Sequence, residues 1–175
     1  MYYESKYSSR PLGLFLRSPL EELRPFADAY PADFLRGIFS ADGCAGVYTN
    51  CGCLTLQIVL GNSNPESLGL VRSLLQSHFQ LHSKTYLGKR KGATWKNGSK
   101  TVALRKDAYA LQIQRVHDVR IFVEKIGFVI ARKQHVAEQA IRLNRTLGPS
   151  RAAVEWRKLH TQKKGSRWDN FGPSE

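Results

Sequence analysis

The helix expected from Pro31 to Gly43 constrains the fold of this chain more than any other part of the sequence. Pro31 suits the first helical position, and Asp33 falls in the first turn, where the helix dipole favours an anion. Gly43 is expected to end the helix. Gly37 and Ala41 are four residues apart and therefore share one face. Such small residues let a second helix backbone approach closely; ordinary packing of this face into the core is the alternative.

Asp42 stands at the C-terminal end of this predicted helix, where the dipole is negative and a carboxylate is disfavoured. Two such helix ends packed together would bring two carboxylates close, which is costly unless a divalent cation binds between them. Mg²⁺ is the expected ion, because it is a hard cation held by one or two carboxylates, water and phosphate oxygens. The alternative is that Asp42 is only a turn residue, since Asp-Gly is a common turn pair.

The hydrophobic patterns beyond this helix predict a chain of the α+β class, with an antiparallel sheet that offers one face to helices. Leu54, Leu56, Ile58 and Leu60 alternate with other residues, so one face of their strand is core and the other is free. A short helix is expected near Leu20–Tyr30. The elements after Gly43 are predicted in this order: strands Cys44–Asn50 and Cys53–Leu60, a helix begun by Asn64 and Pro65, two strands that meet at Asn97-Gly98, a strand Ala108–Val116, a helix capped by Asp118 and ended by Gly127, a helix Ala131–Leu147, and a short helix from Ser150 to His160.

The charge of the chain indicates a polyanionic partner. Lys and Arg number 27 against 14 Asp and Glu, which leaves a net charge of +13 and a pI near 10.0. Neutralising phosphates releases condensed counterions, so such an excess favours nucleic acid. Residues 83–106 hold eight of the basic residues and no acidic one. A basic ribosomal-type protein, or a hairpin whose lysines only protect a sheet edge, is the alternative.

Cysteine usage and hydropathy exclude several classes of protein. Cys44, Cys51 and Cys53 lack the partners of a zinc-finger spacing, so we expect ordinary thiols. The sequence has neither an apolar run long enough to cross a bilayer nor a secretory signal pattern. We therefore expect an intracellular protein with no membrane partner.

The stretch Phe34–Gly43, FLRGIFSADG, resembles the LAGLIDADG motif of homing endonucleases. The order of elements over residues 31–147 also resembles the αββαββα unit of that family, whose antiparallel sheet forms a saddle that faces DNA. The identities are Leu35, Gly37, Ala41, Asp42 and Gly43, whereas Arg36 and Ser40 depart from the commonest letters.

The resemblance implies a site-specific, intron-encoded endonuclease that makes double-strand breaks in a long pseudo-palindromic DNA target by metal-dependent hydrolysis and so promotes intron mobility. Because the motif occurs once, the second copy must come from a second subunit, which predicts a homodimer through the Leu35–Gly43 helix. Gly37 and Ala41 are the expected dimer contact. An RNA-splicing maturase or a DNA-binding regulator on the same fold, without cleavage, is the alternative.

The resemblance also implies the residues of the active site. Asp42 and the carbonyl of Gly43 are expected to bind Mg²⁺; Mn²⁺ is expected to substitute, and Ca²⁺ to bind without supporting cleavage. The catalytic polar residue at the end of the second strand is expected to be Asn62, with Gln57 as the alternative. The catalytic basic residue is expected to be Lys133, with Arg132 as the alternative.

The predicted DNA-binding residues lie on the free strand face and along the basic segment of residues 83–106. Gln and Asn can hydrogen-bond to adenine edges, and Lys and Arg can bind guanine or phosphate. The predicted DNA-binding residues are Tyr48, Asn50, Thr55, Gln57, Lys84, Lys89, Arg90, Lys91, Lys96, Lys100, Arg105 and Lys106. Residues 1–30 are expected to be an N-terminal extension, residues 31–147 the endonuclease domain, and residues 148–175 a basic C-terminal helix and tail.

Overall fold

The structure is a computed structural model that describes residues 19–98 and 100–160. The start of the predicted extension, up to residue 18, and the predicted tail beyond residue 160 lie outside the described residues, as do the side chains of residues 95, 97 and 100. The predicted domain boundaries therefore stay a prediction.

Helices and strands alternate in blocks along the described chain. In order, they are α1 (Leu20–Ala29), α2 (Pro31–Asp42), β1 (Gly43–Asn50), β2 (Cys53–Asn62), α3 (Pro65–Phe79), β3 (Lys84–Lys89), β4 (Thr94–Asn97), β5 (Lys100–Ala103), β6 (Ala108–Ile113), α4 (Val116–Ile121) with a π-helical continuation (Phe122–Ile126), α5 (Ala131–Leu147) and α6 (Pro149–Leu159).

The β-strands form one main sheet and one separate hairpin. The main sheet is antiparallel, with strand order β1-β2-β6-β3, while β4 and β5 pair only with each other. The helices cover one face of the main sheet, where the core cluster lies. The predicted α+β class and the antiparallel sheet are confirmed, and the turn expected at Asn97-Gly98 does join two strands.

The β1–β2 hairpin fixes which residues face the core. Cys51 and Gly52 both have positive φ, at 47° and 77°, as a tight two-residue turn of the primed type requires. The register that follows pairs Asn50 with Cys53. Along β2 every second residue is buried, beginning at Leu54, which confirms the predicted alternation.

The chain passes directly from α2 into β1 at Gly43. This glycine has an extended backbone with φ −88° and ψ 167°, so its role is not that of a left-handed cap. A Cβ at this position would lie 2.7 Å from the Phe39 carbonyl oxygen. Glycine is therefore required because the last turn of α2 approaches the first residue of β1 too closely for a side chain.

Helix starts were predicted with mixed success. Asn64 caps α3 as expected, since its side chain accepts a hydrogen bond from the Glu66 amide at 2.9 Å. Asp118 was wrongly predicted as a cap: α4 begins at Val116, and Asp118 lies buried within its first turn. Ser150 was also wrongly predicted as a cap, because α6 begins one residue earlier and has no side-chain cap. Asp118 instead accepts a hydrogen bond from the His82 amide at 3.1 Å, a distant partner that no local pattern reveals.

None of the helices within residues 19–98 and 100–160 combines the length and the hydrophobicity that crossing a bilayer requires. In the same ranges all three cysteines are free thiols, as expected.

Gly43→Ala should lower the free energy of unfolding by about 1 to 3 kcal/mol, because the new methyl group forces the α2–β1 junction apart. Urea denaturation followed by circular dichroism measures the change. Gly69→Ala, in an open position of α3, is the matched control and should stabilise the chain by up to about 1 kcal/mol. Equal effects of the two substitutions would contradict the proposed close approach.

Candidate functional site

The C-terminal end of α2 places a carboxylate at the mouth of a cleft. Asp42 is exposed and lines a cleft of about 570 Å³ between α1, α2, the end of β2 and the start of α3. Asn62 lines the same cleft, and its Oδ1 accepts a hydrogen bond from the Asn64 amide at 2.8 Å. Asn62 thus lies on the same side of the sheet as Asp42, whereas its alternative, Gln57, lies on the opposite face.

Lys133, in the first turn of α5, binds the last carbonyls of α2. Its Nζ donates to the carbonyl oxygens of Ser40 and Gly43, both at 2.6 Å, and lies 3.4 Å from that of Ala41. A cation there satisfies orphan carbonyls and complements the negative end of the helix dipole. The predicted basic residue Lys133 thus lies at the helix end that carries Asp42.

Electrostatics at this helix end reflect burial and neighbouring charges. Burial lowers the pKa of the Lys133 ammonium; the neighbouring Cys44 thiol and the Asp42 carboxylate act in the opposite direction, while Arg132 adds to the lowering. Burial also raises the pKa of the Cys44 thiol, partly offset by Lys133. Cys44 is therefore held in its neutral form, which suits packing rather than nucleophilic chemistry.

One face of α2 carries small, exposed residues. Gly37 and Ala41 are both exposed, and a Cβ at Gly37 would meet no atom of residues 19–98 or 100–160 within 4 Å. The opposite face holds Leu35 and Phe39, which are fully buried. The small-residue face predicted from the sequence is therefore not packed into the core of the chain.

The two departures from the commonest motif letters both bind the segment between the π-helical turn and α5. Arg36 donates from Nε to the Ile126 carbonyl at 2.6 Å. The buried Ser40 accepts from the Val129 amide at 2.7 Å. These contacts leave Val129 itself 71% exposed beside α2. Arg36 and Ser40 thus hold the apolar loop that contains Val129 against α2.

The face of the sheet opposite the helices carries a row of polar side chains across four strands. Tyr48, Gln57, Gln112 and Lys84 occupy it on β1, β2, β6 and β3, as the strand register requires. The same register places Asn50 and Thr55 on this face, so the residues of β1 and β2 that were predicted to point away from the core do so. Gln112 was missed, although the alternation with the buried Leu111 and Ile113 contains the signal.

The basic residues predicted to bind DNA divide into two groups. Lys84 and Lys89 belong to the main sheet, through β3. The others lie on or beside the separate β4–β5 hairpin. At the base of this hairpin the Lys91 amide donates to the Asp107 carboxylate at 2.6 Å, just before β6 begins. That second group comprises Arg90, Lys91, Lys96, Lys100, Arg105 and Lys106; of these, the Lys100 side chain lies outside the described atoms.

The donor groups at the end of α2 fit a hard divalent cation only in part. Asp42 offers an exposed carboxylate, but the Gly43 carbonyl already accepts a hydrogen bond from Lys133. Across residues 19–98 and 100–160 no three His, Cys, Asp or Glu side chains converge on a possible metal position. Glu21 and Glu66 line the same cleft as Asp42. A metal ion held by Asp42 would need further oxygen ligands, such as water, phosphate or a second carboxylate.

Comparison with known proteins defines the class to which this fold and site belong. Residues 29–127 match the family model of the LAGLIDADG-like domain, which is more than half of the chain. The chain therefore belongs to the LAGLIDADG-like family.

Individual relatives are more distant. An uncharacterized protein of Methanocaldococcus jannaschii is 35% identical over 127 residues, which are 73% of this chain. The match covers only 44% of that relative, so the chain spans less than half its length.

Two solved structures are also similar. The homing endonuclease I-CvuI, in complex with a DNA target, is 14% identical, with a TM-score of 0.46 over 79% of this chain and 87% of that one. The archaeal intron-encoded homing endonuclease I-Vdi141I, complexed with DNA, is 16% identical, with a TM-score of 0.40 over 82% of this chain and 88% of that one.

Lys133→Met should lower the free energy of unfolding by about 2 kcal/mol, because the charge-assisted bonds to the α2 carbonyls are lost. Urea denaturation measures the loss. Arg132→Met is the matched control, since it changes an exposed cation one residue earlier, and it should cost less than about 1 kcal/mol. The reverse ranking would show that Arg132 is the residue that anchors α5.

Proposed function

We propose that this chain is a divalent-metal-dependent DNA endonuclease that acts as a homodimer and makes double-strand breaks in a long pseudo-palindromic target. The observation that carries the proposal is the placement of Asp42 in a member of this family: it is exposed, ends the motif helix, and shares a cleft with Asn62 beside Lys133. In its biological setting, cleavage of an intron-less copy of the target would promote intron mobility.

The residues of the site have distinct roles in this proposal. Asp42 binds Mg²⁺, with Mn²⁺ as a substitute, and Ca²⁺ supports binding without cleavage. The bound ion supplies Lewis-acid chemistry, which activates water and stabilises charge on the phosphate. Asn62 orients groups in the cleft through its side-chain amide nitrogen, because its hydrogen bond with the Asn64 amide uses the oxygen Oδ1. Lys133 fixes the end of α2, and its positive charge beside Asp42 favours the approach of a phosphate.

Dimer formation through α2 follows from its exposed small-residue face. Gly37 and Ala41 allow a second helix backbone to approach, and the exposed Val129 and Ile130 add apolar surface beside them. A two-fold axis along this face brings the two α2 ends together. Each subunit then contributes one Asp42, which gives the metal site two carboxylates.

The DNA surface in this proposal is the sheet face opposite the helices. It carries Tyr48, Gln57 and Gln112 at its centre and Lys84 towards its edge. The basic β4–β5 hairpin extends beyond the sheet and offers phosphate contacts. In the dimer the two sheets double this surface, which is why the target is long and pseudo-palindromic.

Asp42→Asn should reduce cleavage by roughly 100- to 1000-fold while leaving DNA affinity in Ca²⁺ nearly unchanged, because it removes the carboxylate and keeps the side-chain shape. The substrate is a duplex selected by the wild-type chain from a randomised pool, and the readout is cut DNA in Mg²⁺, which EDTA should abolish. Asp28→Asn, which weakens an exposed pair with Arg24 within α1 and a pair with His78 on α3, is the control and should cut normally. Undiminished cutting by Asp42→Asn would remove Asp42 from the metal site.

Gly37→Leu should weaken the dimer at least about 100-fold, because a large side chain separates the two α2 backbones. Sedimentation equilibrium distinguishes the 19.8 kDa monomer from a species of twice that mass. Gly69→Leu is the matched control, since Gly69 is equally exposed and open but lies on α3. A wild-type chain that stays monomeric at tens of micromolar, with or without DNA, would rule out the homodimer.

A second candidate is an RNA-splicing maturase or a DNA-binding regulator that does not cleave. The observation that favours it is the bond from Lys133 to the Gly43 carbonyl, which engages one of the two oxygen ligands assigned to the metal. Tight binding without cleavage in Mg²⁺, Mn²⁺ and Ca²⁺ alike would favour this candidate. Competition between the selected duplex and structured RNA then distinguishes the maturase from the DNA-binding regulator.

A further inference from the structure

A groove between two helices carries a cluster of arginines on the helix-covered side of the main sheet. It lies between α5 and α4 with its π-helical continuation, and it encloses about 410 Å³. Three exposed arginines line it, Arg120 on α4 and both Arg142 and Arg145 on α5. The buried Val123 and the half-buried Ile141 line it as well. The groove thus combines guanidinium groups at its surface with an apolar floor.

Two glutamates lie at one end of this groove. Gln134 Nε2 donates at 3.3 Å to the Val123 carbonyl, so the π-helical continuation lies opposite the first half of α5. Glu124 and Glu138 line the groove at this end. The Glu138 carboxylate accepts a hydrogen bond from Gln134 at 2.8 Å and is therefore already engaged within the chain.

The three arginines lie at the other end. Arg120 also lines a smaller adjoining cleft of about 80 Å³, together with Ile141 and Asn144, so α4 lies opposite the second half of α5 there. Arg142 and Arg145 belong to that half of α5. The groove is therefore positive at this end, and it continues past Arg120 into the smaller cleft.

The guanidinium groups of this cluster have no protein partner among the residues that the structure describes. Neither an ion pair nor a hydrogen bond joins Arg120, Arg142 or Arg145 to another side chain there. Clustered like charges destabilise a folded chain unless a counter-charge binds. Arginine presents its N–H donors in a planar fork that matches the oxygens of a phosphate group. The positive end of the groove is thus suited to an anion.

The helix side of the sheet carries more positive charge than the proposed DNA surface explains. Residues 116–160, which include α4, α5 and α6, contain nine Lys and Arg against four Asp and Glu. These helices cover the face of the main sheet opposite to the proposed DNA surface. A duplex bound to the sheet would leave this charge without a counter-charge, which indicates a second polyanion.

The residue type and the width of the groove indicate which polyanion fits. Six of the eight cations in residues 83–106 are lysines, which act on phosphates as point charges. The cations of the groove are all arginines, whose planar groups also stack on unstacked bases. An apolar floor accepts the face of a base in the same way. The axes of neighbouring helices lie about 8 to 10 Å apart, so the space between them admits a single strand rather than a duplex.

We infer that the arginine end of this groove binds a single-stranded segment of nucleic acid, with the guanidinium groups on its phosphates and the apolar floor against a base. Each nucleotide supplies both an anion and a flat ring, whereas an acidic peptide supplies only the anions. The inference goes beyond the proposed cleavage, because it assigns a second partner to the opposite side of the molecule. Duplex binding by the sheet can succeed or fail independently of it.

The test is fluorescence anisotropy of short labelled RNA and DNA oligonucleotides of one unstructured sequence, titrated with the full chain over a series of salt concentrations. Binding should persist when excess unlabelled duplex occupies the sheet. Its logarithmic salt dependence should then have a slope of about −2, as three phosphate contacts on a single strand give. Binding of either oligonucleotide supports the inference, and the tighter of the two identifies the sugar of the strand.

Arg142→Gln should weaken oligonucleotide binding roughly 3- to 10-fold and reduce the salt slope by about 0.7, because one phosphate contact is lost. Arg120→Gln should act in the same direction. Arg72→Gln, which changes an exposed arginine on α3 outside the groove, is the matched control and should alter the affinity less than about 2-fold, since salt screens distant charges. All three variants should bind duplex as the wild type does.

Several outcomes would overturn the inference. Neither oligonucleotide may bind, excess duplex may displace both completely, or Arg72→Gln may weaken binding as much as Arg142→Gln. Polyglutamate that competes better than unlabelled oligonucleotide at equal charge would assign the groove to an acidic protein instead. A wild type that binds the oligonucleotide through Arg142 but binds no duplex would remove the proposed endonuclease function and leave the inference standing.

Discussion

The rest of the structure depends on how the last turn of α2 is bound. A helix end leaves carbonyl oxygens without intrahelical partners, and here the chain turns directly into β1 at Gly43, whose amide donates to the Phe39 carbonyl. Lys133 supplies a further donor from the start of α5, to the carbonyls of Ser40 and Gly43. A single ammonium group thus joins the motif helix, the first strand and the penultimate helix, and it does so beside the carboxylate of Asp42.

This arrangement separates the two faces of α2. Leu35 and Phe39 pack into the core, and Arg36 and Ser40 bind the loop that precedes α5. Gly37 and Ala41 are left exposed, and nothing in residues 19–98 or 100–160 fills the space beside Gly37. This exposed face is the one that the proposed homodimer would use.

Short-range sequence patterns correctly predicted the features that depend on interactions between neighbouring residues. The period-two alternation from Leu54 identified the free face of β2 correctly, and Asn64 capped α3 because the donor it satisfies is two residues away. The same reasoning failed for Asp118, whose donor is the amide of His82, 36 residues earlier in the chain. Gln112 could have been found by extending the alternation to β6, whereas its bond to Gln57 depends on the pairing of two strands that are distant in sequence.

The sequence by itself determined the motif helix, the inward and outward faces of β1 and β2, and the excess of positive charge, because each follows from spacing or composition within a few residues. Only the tertiary structure decided that Lys133 binds carbonyl oxygens where α2 passes into β1, and that Asn62 rather than Gln57 shares a cleft with Asp42. These choices rest on contacts between residues as many as 93 positions apart, whose geometry is set by the packing of whole elements.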